Sequence, residues 1–354
     1  MDRFTYERGV WMKPDSTQPV NTTLRETEIR PDHLRQGQAE RFAADIRWLL
    51  QHKDEFVQVS CPACDSEKAR PVFEKYGLTY VVCSNCGTMY VNPRPTPAIL
   101  EMYYAQSENY AYWNKYVFPA SEDVRREKIF RPRAERLAEI CQSHNFQTDV
   151  LLEVGAGFGT FCEEIRRMGL FRRVIAVEPT PDLAETCRQR DLEVIEKPIE
   201  QVHLDHAIVN VIASFEVIEH LFSPRDFLNS CAAVLAPNGL LIVTCPNIRG
   251  FDMAVLQAVS DTVDVEHLNY FHPDSLSLLF AECGFEVLET LTPGKLDAEL
   301  VRKKVLAGDM NLSTQPFLQQ ILMDEWERVG GAFQQFLADN QLSSHMWLVA
   351  RKRG

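Results

Sequence analysis

The chain has 354 residues, of which 45% are hydrophobic and 25% are charged, a composition typical of a globular protein with room for two domains. Its formal net charge of −13 disfavours nonspecific binding to nucleic acid or to an anionic membrane. No apolar run approaches the ~20 residues of a transmembrane helix, so we expect no membrane span.

Residues 1–10 are polar and charged, which excludes the apolar centre of a secretory signal. We therefore expect the ten cysteines to be reduced thiols in the cytoplasm. Residues 1–30 show no hydrophobic period and predict an extended arm. Pro31 and Asp32 can open a helix, so residues 1–55 are interpreted as an arm and a helix.

Two C-x-x-C pairs follow, separated by eighteen residues. They are Cys61 with Cys64, and Cys83 with Cys86. Each pair can form a knuckle that binds one tetrahedral ion, and the gap is typical of four-cysteine zinc sites. The sequence predicts a zinc ribbon over residues 56–92, with a structural zinc because four thiolates leave no open position. A redox C-x-x-C is the competing idea, but no thioredoxin-like context accompanies it.

An aromatic-rich segment comes after the ribbon. Its rings are Tyr103, Tyr104, Tyr110, Tyr112, Trp113, Tyr116 and Phe118. Few basic residues accompany them, so a lid over a substrate fits better than a nucleic-acid platform. Packing of the ribbon against the next domain is the competing interpretation. We interpret residues 93–145 as a helical linker or lid.

An apolar run at Val150–Val154 predicts a buried strand, and three glycines follow at alternate positions. They are Gly155, Gly157 and Gly159. Glycine lets the backbone turn sharply and approach a ligand closely. A second strand, at residues 173–177, ends in Glu178, placed to accept hydrogen bonds from the ribose hydroxyls of an adenosyl group. The spacing differs from G-x-G-x-x-G, which argues against a pyrophosphate-containing cofactor such as NAD.

Strand and helix patterns alternate from Val150 onward, which predicts a parallel sheet covered on both faces. The predicted strands lie near residues 150–154, 173–177, 192–195, 208–214, 239–245, 284–288 and 345–350. The segments LLEVGAGFGTF, VIAVEP, SFEVIEHL and LAPNGLLIVTCPN resemble class I S-adenosylmethionine-dependent methyltransferases, including those of ubiquinone biosynthesis, over about residues 150–285.

This resemblance implies an α/β, Rossmann-like fold whose seven-stranded sheet is mostly parallel, with an antiparallel last strand. Residues 146–292 would form the methyltransferase core, and residues 293–354 a helical insertion and the final strand. The resemblance also implies S-adenosylmethionine as cofactor. Its implied contacts are Glu153, which orders the loop, Gly155, Ala156, Gly157 and Gly159 around the methionine part, Glu178 at the ribose, and Phe215 beside the cofactor.

Carboxylates and imidazoles follow the fourth and fifth core strands, where this fold binds ligands. Glu216, Glu219 and His220 would share one face if their segment is helical, and His267 would join them from a later loop. The E-x-x-E-H element resembles metal-dependent O-methyltransferases of ubiquinone biosynthesis. With His267 added, this element also resembles that of the plant small-RNA 2′-O-methyltransferases, in which a metal coordinates two neighbouring hydroxyls.

Two interpretations stay open. In one, Glu216, Glu219, His220 and His267 bind a catalytic divalent metal, for which this ligand set suits Mn, Fe, Co or Zn better than Mg. In the other there is no metal, Glu216 orders the cofactor loop, and His267, or secondly His220, removes a proton or merely packs.

A sugar hydroxyl needs a base or a metal for its methylation, whereas an amine needs only its neutral form. We therefore predict O-methylation of a sugar, glycan or related small polyol, with the ribbon orienting the substrate or covering the cleft. The alternatives are N- or C-methylation of a deoxysugar or natural product, a binding scaffold without catalysis, and RNA modification. The negative net charge of the chain disfavours RNA modification. The insertion would cap the cleft or form a homodimer contact.

Overall fold

The structure, a computed structural model, describes residues 24–204 and 208–354, with the backbone of two short paired strands, β1 (Thr5–Glu7) and β2 (Val10–Met12). The arm predicted over residues 1–30 therefore falls largely outside the described residues. Helices α1 (Glu26–Ile29) and α2 (Asp32–Gln51) follow. Leu49 of α2 is buried against the ribbon side of the molecule, as its helical spacing predicts.

The cysteine segment forms a small antiparallel sheet. Its strands β3 (Ala69–Lys75), β4 (Leu78–Cys83) and β5 (Met89–Val91) pair in chain order. A fourth strand, Asn269–Tyr270, comes from the second half of the chain and pairs with β5. The ribbon is thus continuous in hydrogen bonding with a distant loop, which local sequence patterns do not reveal.

The linker is almost entirely helical. It contains α3 (Pro97–Gln106), α4 (Glu108–Tyr112), α5 (Phe118–Arg125) and α6 (Arg131–Ser143), with π-helical turns at Trp113–Val117 and Arg126–Phe130. Asp45 of α2 accepts hydrogen bonds from the Ser107 hydroxyl and from the Glu108 and Asn109 N–H groups, at 2.6 to 2.9 Å. A carboxylate at a helix N-terminus is stabilised by these free N–H groups, so α2 fixes the start of α4.

A seven-stranded sheet forms the centre of the rest of the chain. Its strands are β6 (Val150–Val154), β7 (Arg173–Val177), β8 (Glu193–Ile195), β9 (Val209–Phe215), β10 (Leu235–Pro246), β12 (Phe285–Leu291) and β13 (His345–Lys352). The remaining strand, β11, is the Asn269–Tyr270 strand of the ribbon sheet. The order is β12-β13-β10-β9-β6-β7-β8, with β13 antiparallel to both neighbours and the other pairs parallel. This confirms the predicted Rossmann-like fold class.

The helices after β6 are α7 (Thr160–Met168), α8 (Pro181–Gln189), α9 (Pro224–Val234), α10 (Phe251–Leu256), α11 (Pro273–Glu282), α12 (Asp297–Leu306), α13 (Pro316–Gln319) and α14 (Trp326–Asp339). Helices α6, α7 and α8 contribute to the core on one face of the sheet, and α9 and α11 contribute to the core on the other. Helices α10, α12, α13 and α14 pack together in a separate apolar cluster. Short 3₁₀ turns lie at Lys53–Glu55, Ile199–Gln201, Ile218–His220 and Gln257–Val259, and a π turn at Gln320–Asp324. Every residue of β6 is buried. Leu151 and Leu152 pack into different cores on opposite faces, since successive side chains of a strand alternate.

The helical insertion buries only part of its apolar side chains. Leu322 is fully enclosed, and Leu318, Ile321 and Trp326 pack around it. Phe317 is instead 68% exposed. In the part of the chain that the structure describes, no helix combines the length and apolar character needed to cross a bilayer.

Candidate functional site

The glycine turn after β6 adopts backbone angles that favour glycine. Gly155, Gly157 and Gly159 have φ angles of 78°, 55° and 71°, where a side chain is strained. A Cβ atom at Gly155 would lie 2.5 Å from Cγ2 of Val217, whereas a Cβ at Gly157 would meet no atom within 4 Å. The backbone at Gly157 therefore borders open space, as a ligand-facing turn requires.

Glu178 lies against this turn. One carboxylate oxygen accepts a hydrogen bond from the Gly157 N–H at 2.7 Å, and the other accepts one from the Thr180 N–H at 2.9 Å. Burial raises the pKa of Glu178 above its ordinary value. The acidic strand end and the glycine turn thus lie in direct contact.

The other residues expected at the cofactor lie at the same carboxyl edge of the sheet. Glu153 is buried in β6, accepts a hydrogen bond from the Cys162 thiol at 3.0 Å, and has its pKa raised to about 8 by burial. Phe215 ends β9 and packs edge-on against Phe161 at 4.7 Å. Ala156 is a buried member of the turn itself.

The helical linker contacts this edge. Phe118 stacks on Phe158 of the glycine turn with 3.7 Å between ring centroids. Arg126 forms ion pairs at 2.7 Å with Glu163 and with Glu164 of α7. The linker is therefore fastened to the helix that follows the turn.

Arg133 of α6 is a polar residue of this edge that the sequence did not reveal. Its guanidinium carbon lies 4.7 Å from the centre of the Phe215 ring, and one of its nitrogens lies 3.5 Å from Glu216. In the sequence Arg133 is one of many charged residues on a helix, a pattern typical of a solvated face. Only the packing of α6 on the sheet distinguishes it.

The four cysteines of the ribbon converge. Their sulfur atoms all lie within 4.8 Å of one another, with 3.5 Å between Cys61 and Cys86 and 3.6 Å between Cys64 and Cys83. Four sulfurs around one zinc at ~2.3 Å would be about 3.8 Å apart. The Asn85 N–H also points at Cys83 Sγ, at 3.3 Å. The donor set therefore fits a four-thiolate zinc site.

A second cluster lies beyond β9 and β10. Ligand atoms of Glu219, His220 and His267 come within 4.8 Å of one another. Glu216 is not a member of this cluster. The condition of a helical segment is not met, because Ile218–His220 is a 3₁₀ turn and Glu216 has a left-handed φ of 56°.

Glu216 faces β10 and β13 instead. It accepts a hydrogen bond from the Thr244 hydroxyl at 2.6 Å and lies 3.3 Å from Nδ1 of His345. Together with Arg133, these partners satisfy its carboxylate, and the neighbouring positive groups hold its pKa below the ordinary value.

Both histidines of the cluster are oriented through Nδ1. His220 Nδ1 lies 3.1 Å from the Glu266 carbonyl oxygen, and His267 Nδ1 lies 2.7 Å from the Thr262 carbonyl oxygen. Because a carbonyl can only accept, Nδ1 carries a proton, and in the neutral form of either ring Nε2 presents a lone pair. Burial and the neighbouring His267 hold the pKa of His220 well below its ordinary value. Neutral imidazoles fixed in this way are typical of metal ligands and of bases.

Glu219 completes the cluster and is 1% exposed. Neither of its carboxylate oxygens has a hydrogen-bond partner within the described residues. Burial and the Glu216 charge raise its pKa well above the ordinary value. A buried carboxylate without a partner is costly, so this group fits the coordination of a cation.

The aromatic segment reaches the same cluster. The Tyr104 hydroxyl lies 3.4 Å from His220 Nδ1, and the Tyr110 ring is 5.3 Å from that of Tyr104. The Tyr103 hydroxyl and the Asn109 amide each donate to one oxygen of Glu266 at 3.1 Å. Glu266 was missed by the sequence reasoning, although its position next to His267 was a signal.

Comparisons with known proteins identify the family to which half of this chain belongs. A family model described as "Methyltransferase domain" matches residues 114–290, half of the chain. A probable S-adenosylmethionine-dependent methyltransferase of Mycobacterium tuberculosis is 32% identical over 154 residues, which are 43% of this chain and 52% of that protein. C-methyltransferase NovU of Streptomyces niveus is 27% identical over 164 residues, 44% of this chain and 38% of NovU. A ubiquinone biosynthesis O-methyltransferase of a Caulobacter species is 35% identical over 126 residues, 32% of this chain and 49% of that protein.

The chain thus spans about half the length of the curated relatives that it matches. Among solved structures, a 1,6-didemethyltoxoflavin-N1-methyltransferase of Burkholderia thailandensis is 13% identical, with a TM-score of 0.46. The similarity covers 81% of this chain and 100% of that one.

Proposed function

We propose that this chain, which belongs to the methyltransferase-domain family, transfers a methyl group from S-adenosylmethionine to a hydroxyl of a sugar, glycan or related small polyol. The observation that carries the choice of acceptor is the pair of oriented imidazoles, His220 and His267, beside the unpartnered Glu219 carboxylate. A hydroxyl must lose its proton during transfer, whereas a neutral amine can attack without a base.

The proposed cofactor seat is the glycine turn with its acidic neighbours. Gly155, Ala156, Gly157 and Gly159 would wrap the methionine part, and Glu178 would accept hydrogen bonds from the ribose hydroxyls. Glu153 would order the turn from β6, and Phe215 would lie beside the cofactor. The largely buried guanidinium of Arg133 next to Phe215 supplies a cation suited to the carboxylate of the methionine part.

The proposed chemistry has two routes through the same three residues. In the first, Nε2 of His267, or secondly of His220, accepts the proton of the attacking hydroxyl. In the second, Glu219, His220 and His267 hold a divalent cation, which would lower the pKa of that hydroxyl. The unpartnered oxygens of Glu219 favour the second route. Glu216 is left out of this ligand set because its carboxylate is bound to Thr244.

We propose that the ribbon zinc is structural, because Cys61, Cys64, Cys83 and Cys86 fill a tetrahedral coordination sphere. We also propose the division into residues 1–55, 56–92, 93–145, 146–292 and 293–354. The linker at 93–145 would close over the acceptor, since Tyr104 adjoins His220 and Tyr110 packs against Tyr104.

C-methylation of a sugar is the second candidate. The name of NovU describes a C-methyltransferase, and proton removal from carbon also needs a base such as His267. The two reactions differ in their product, because O-methylation gives a methyl ether and C-methylation gives a new carbon–carbon bond.

Incubation of the protein with methyl-labelled S-adenosylmethionine and fractionated extracts tests the proposal. We expect the label in a methyl ether of a small polyol or glycan. His267→Ala should lower turnover about 10² to 10⁴-fold while cofactor affinity is kept, and exposed His33→Ala is the matched control. Label on nitrogen, with His267→Ala fully active, would contradict the proposal.

A further inference from the structure

Arg94 is an arginine buried without a carboxylate. It lies just beyond the ribbon and is 1% exposed. Within the described residues no acidic side chain forms an ion pair with it, and its guanidinium donates to three backbone carbonyls instead. A buried arginine that lacks a carboxylate partner is rare and costly. The three backbone carbonyls that surround it offset this cost.

The three carbonyls belong to three separate parts of the chain. Nε donates to Val91 at 3.2 Å, one terminal nitrogen donates to Phe222 at 3.1 Å, and the other to Leu268 at 3.4 Å. Phe222 lies two residues after His220, and Leu268 directly follows His267. A guanidinium presents its donors in a rigid planar fork, so it can fix the relative position of these segments.

Other contacts join the same two loops. The Leu268 N–H donates to the Glu219 carbonyl at 2.8 Å. The Asn269 side-chain amide donates to the Leu221 carbonyl at 2.7 Å and to the carbonyls of Ile218 and Glu219 at 3.3 Å. The backbone carrying the Glu219, His220 and His267 cluster is thus held together by Arg94 and Asn269.

The ribbon is hydrogen-bonded to the loop that follows His267. β11 begins at Asn269 and pairs with β5, so that Asn269 lies opposite Tyr90 and Tyr270 opposite Met89. His272 Nε2 lies 2.8 Å from the carbonyl oxygen of Cys86, one of the four clustered cysteines. The positions of the two catalytic-site loops are therefore built on the metal ribbon as well as on the sheet of the core.

We propose that Arg94 is a positioning residue for methyl transfer, which acts by holding the loops of His220 and His267 in register with the ribbon. This inference rests on the proposed function of that cluster. It assigns to the ribbon a part in assembling the reaction site, in addition to any contact with substrate. Arg94 itself does not touch the acceptor, because its guanidinium is enclosed by backbone.

Arg94→Lys in the full, zinc-loaded chain tests this inference. Lysine keeps the positive charge but lacks the planar fork that joins three carbonyls. We expect the imidazole ¹⁵N spectra of His220 and His267 to lose the single Nδ1-protonated tautomer. Turnover should fall roughly tenfold to a hundredfold, as for other small misplacements of catalytic groups, while zinc content and cofactor affinity are kept. Arg70→Lys, on the exposed strand β3, is the control.

Unchanged imidazole spectra and turnover in folded Arg94→Lys would overturn the inference. If Arg94→Lys fails to fold, Arg94→Gln keeps a neutral amide donor but removes the planar fork that reaches three carbonyls, and unchanged spectra in that folded variant would overturn the inference equally. The spectra need no acceptor molecule. If the wild-type protein transfers no methyl group, the proposed function is refuted. The spectra would nevertheless show whether Arg94 positions the two histidines.

Discussion

The Glu178 carboxylate at the end of β7 accepts a hydrogen bond from the Gly157 N–H at 2.7 Å, across the glycine turn that follows β6. Two neighbouring parallel strands thus contribute the two halves of the proposed cofactor seat. A Cβ atom at Gly157 would meet no other atom of the protein within 4 Å. A substitution of Gly157 by alanine therefore tests the proposed cofactor site.

Gly157→Ala should weaken cofactor binding without unfolding the protein. The added Cβ has free space in the ligand-free chain but would enter the volume proposed for the cofactor. The φ of 55° should cost about 1 to 2 kcal/mol. Gly169→Ala is the matched control, since its φ is 64° and its Cβ also meets nothing within 4 Å. The midpoint of thermal unfolding should fall equally in both variants. Calorimetric titration should show weaker binding of S-adenosylmethionine only for Gly157→Ala. Equal affinities in the two variants would contradict the proposed cofactor site at Gly157.

Purified protein should contain about one tightly bound zinc per chain. Cys64→Ser and Cys83→Ser should lower this content and the midpoint of thermal unfolding, because a ribbon with little core depends on its metal for folding. The control is Cys283→Ser, a thiol of the α11 C-terminus outside the cluster. Elemental analysis makes the comparison. Full zinc retention in both cluster variants would exclude the four-thiolate site.

Glu219→Gln should separate the two routes proposed for the reaction. The change replaces a buried carboxyl group whose oxygens have no partner and whose pKa is raised by burial, so the metal-free protein should keep or gain stability against urea. Affinity for Mn²⁺ or Co²⁺ and turnover should both fall if the carboxylate is a ligand. Exposed Glu55→Gln serves as control. Undiminished turnover together with unaltered metal affinity would exclude the metal route.

Asp252 should make the protein less stable as the pH rises. Burial, together with the charge of Asp297, raises its pKa from 3.8 to about 7. Since the folded state holds this proton more tightly than the unfolded state, its stabilising contribution is complete below pH ~4 and is lost as pH rises to about 7. Asp252→Asn should therefore gain stability relative to wild type across that range, by roughly 4 kcal/mol at most. Urea unfolding at several pH values measures this difference in the free energy of unfolding, with exposed Asp54→Asn as control. A difference between Asp252→Asn and wild type that does not change with pH would refute the raised pKa of Asp252.

Local sequence patterns predicted the parts of the fold that depend on periodicity and on glycine. The apolar runs at β6 and β9 became buried strands because each residue has core on one face of the sheet or the other. The structure of residues 216–220 could not be predicted in the same way, because Glu216 adopts a positive φ and accepts a hydrogen bond from Thr244 of the neighbouring strand β10. Neither feature has a signal in the local sequence.

The unpredicted part of the site consists of contacts between residues far apart in the chain. Arg94 meets Leu268 across 174 positions, and Tyr103 meets Glu266 across 163. Arg133 has no local feature that separates it from the exposed charges of α6. Such residues are selected by the packing of whole elements, so spacing within one element cannot identify them.

Calorimetric titration of the folded, zinc-loaded protein with S-adenosylmethionine and S-adenosylhomocysteine tests the central claim most directly. We expect saturable binding of one molecule per chain, which Glu178→Ala abolishes or strongly weakens while exposed Glu185→Ala leaves it intact. Absence of binding to either compound, or full affinity in Glu178→Ala, would contradict the account.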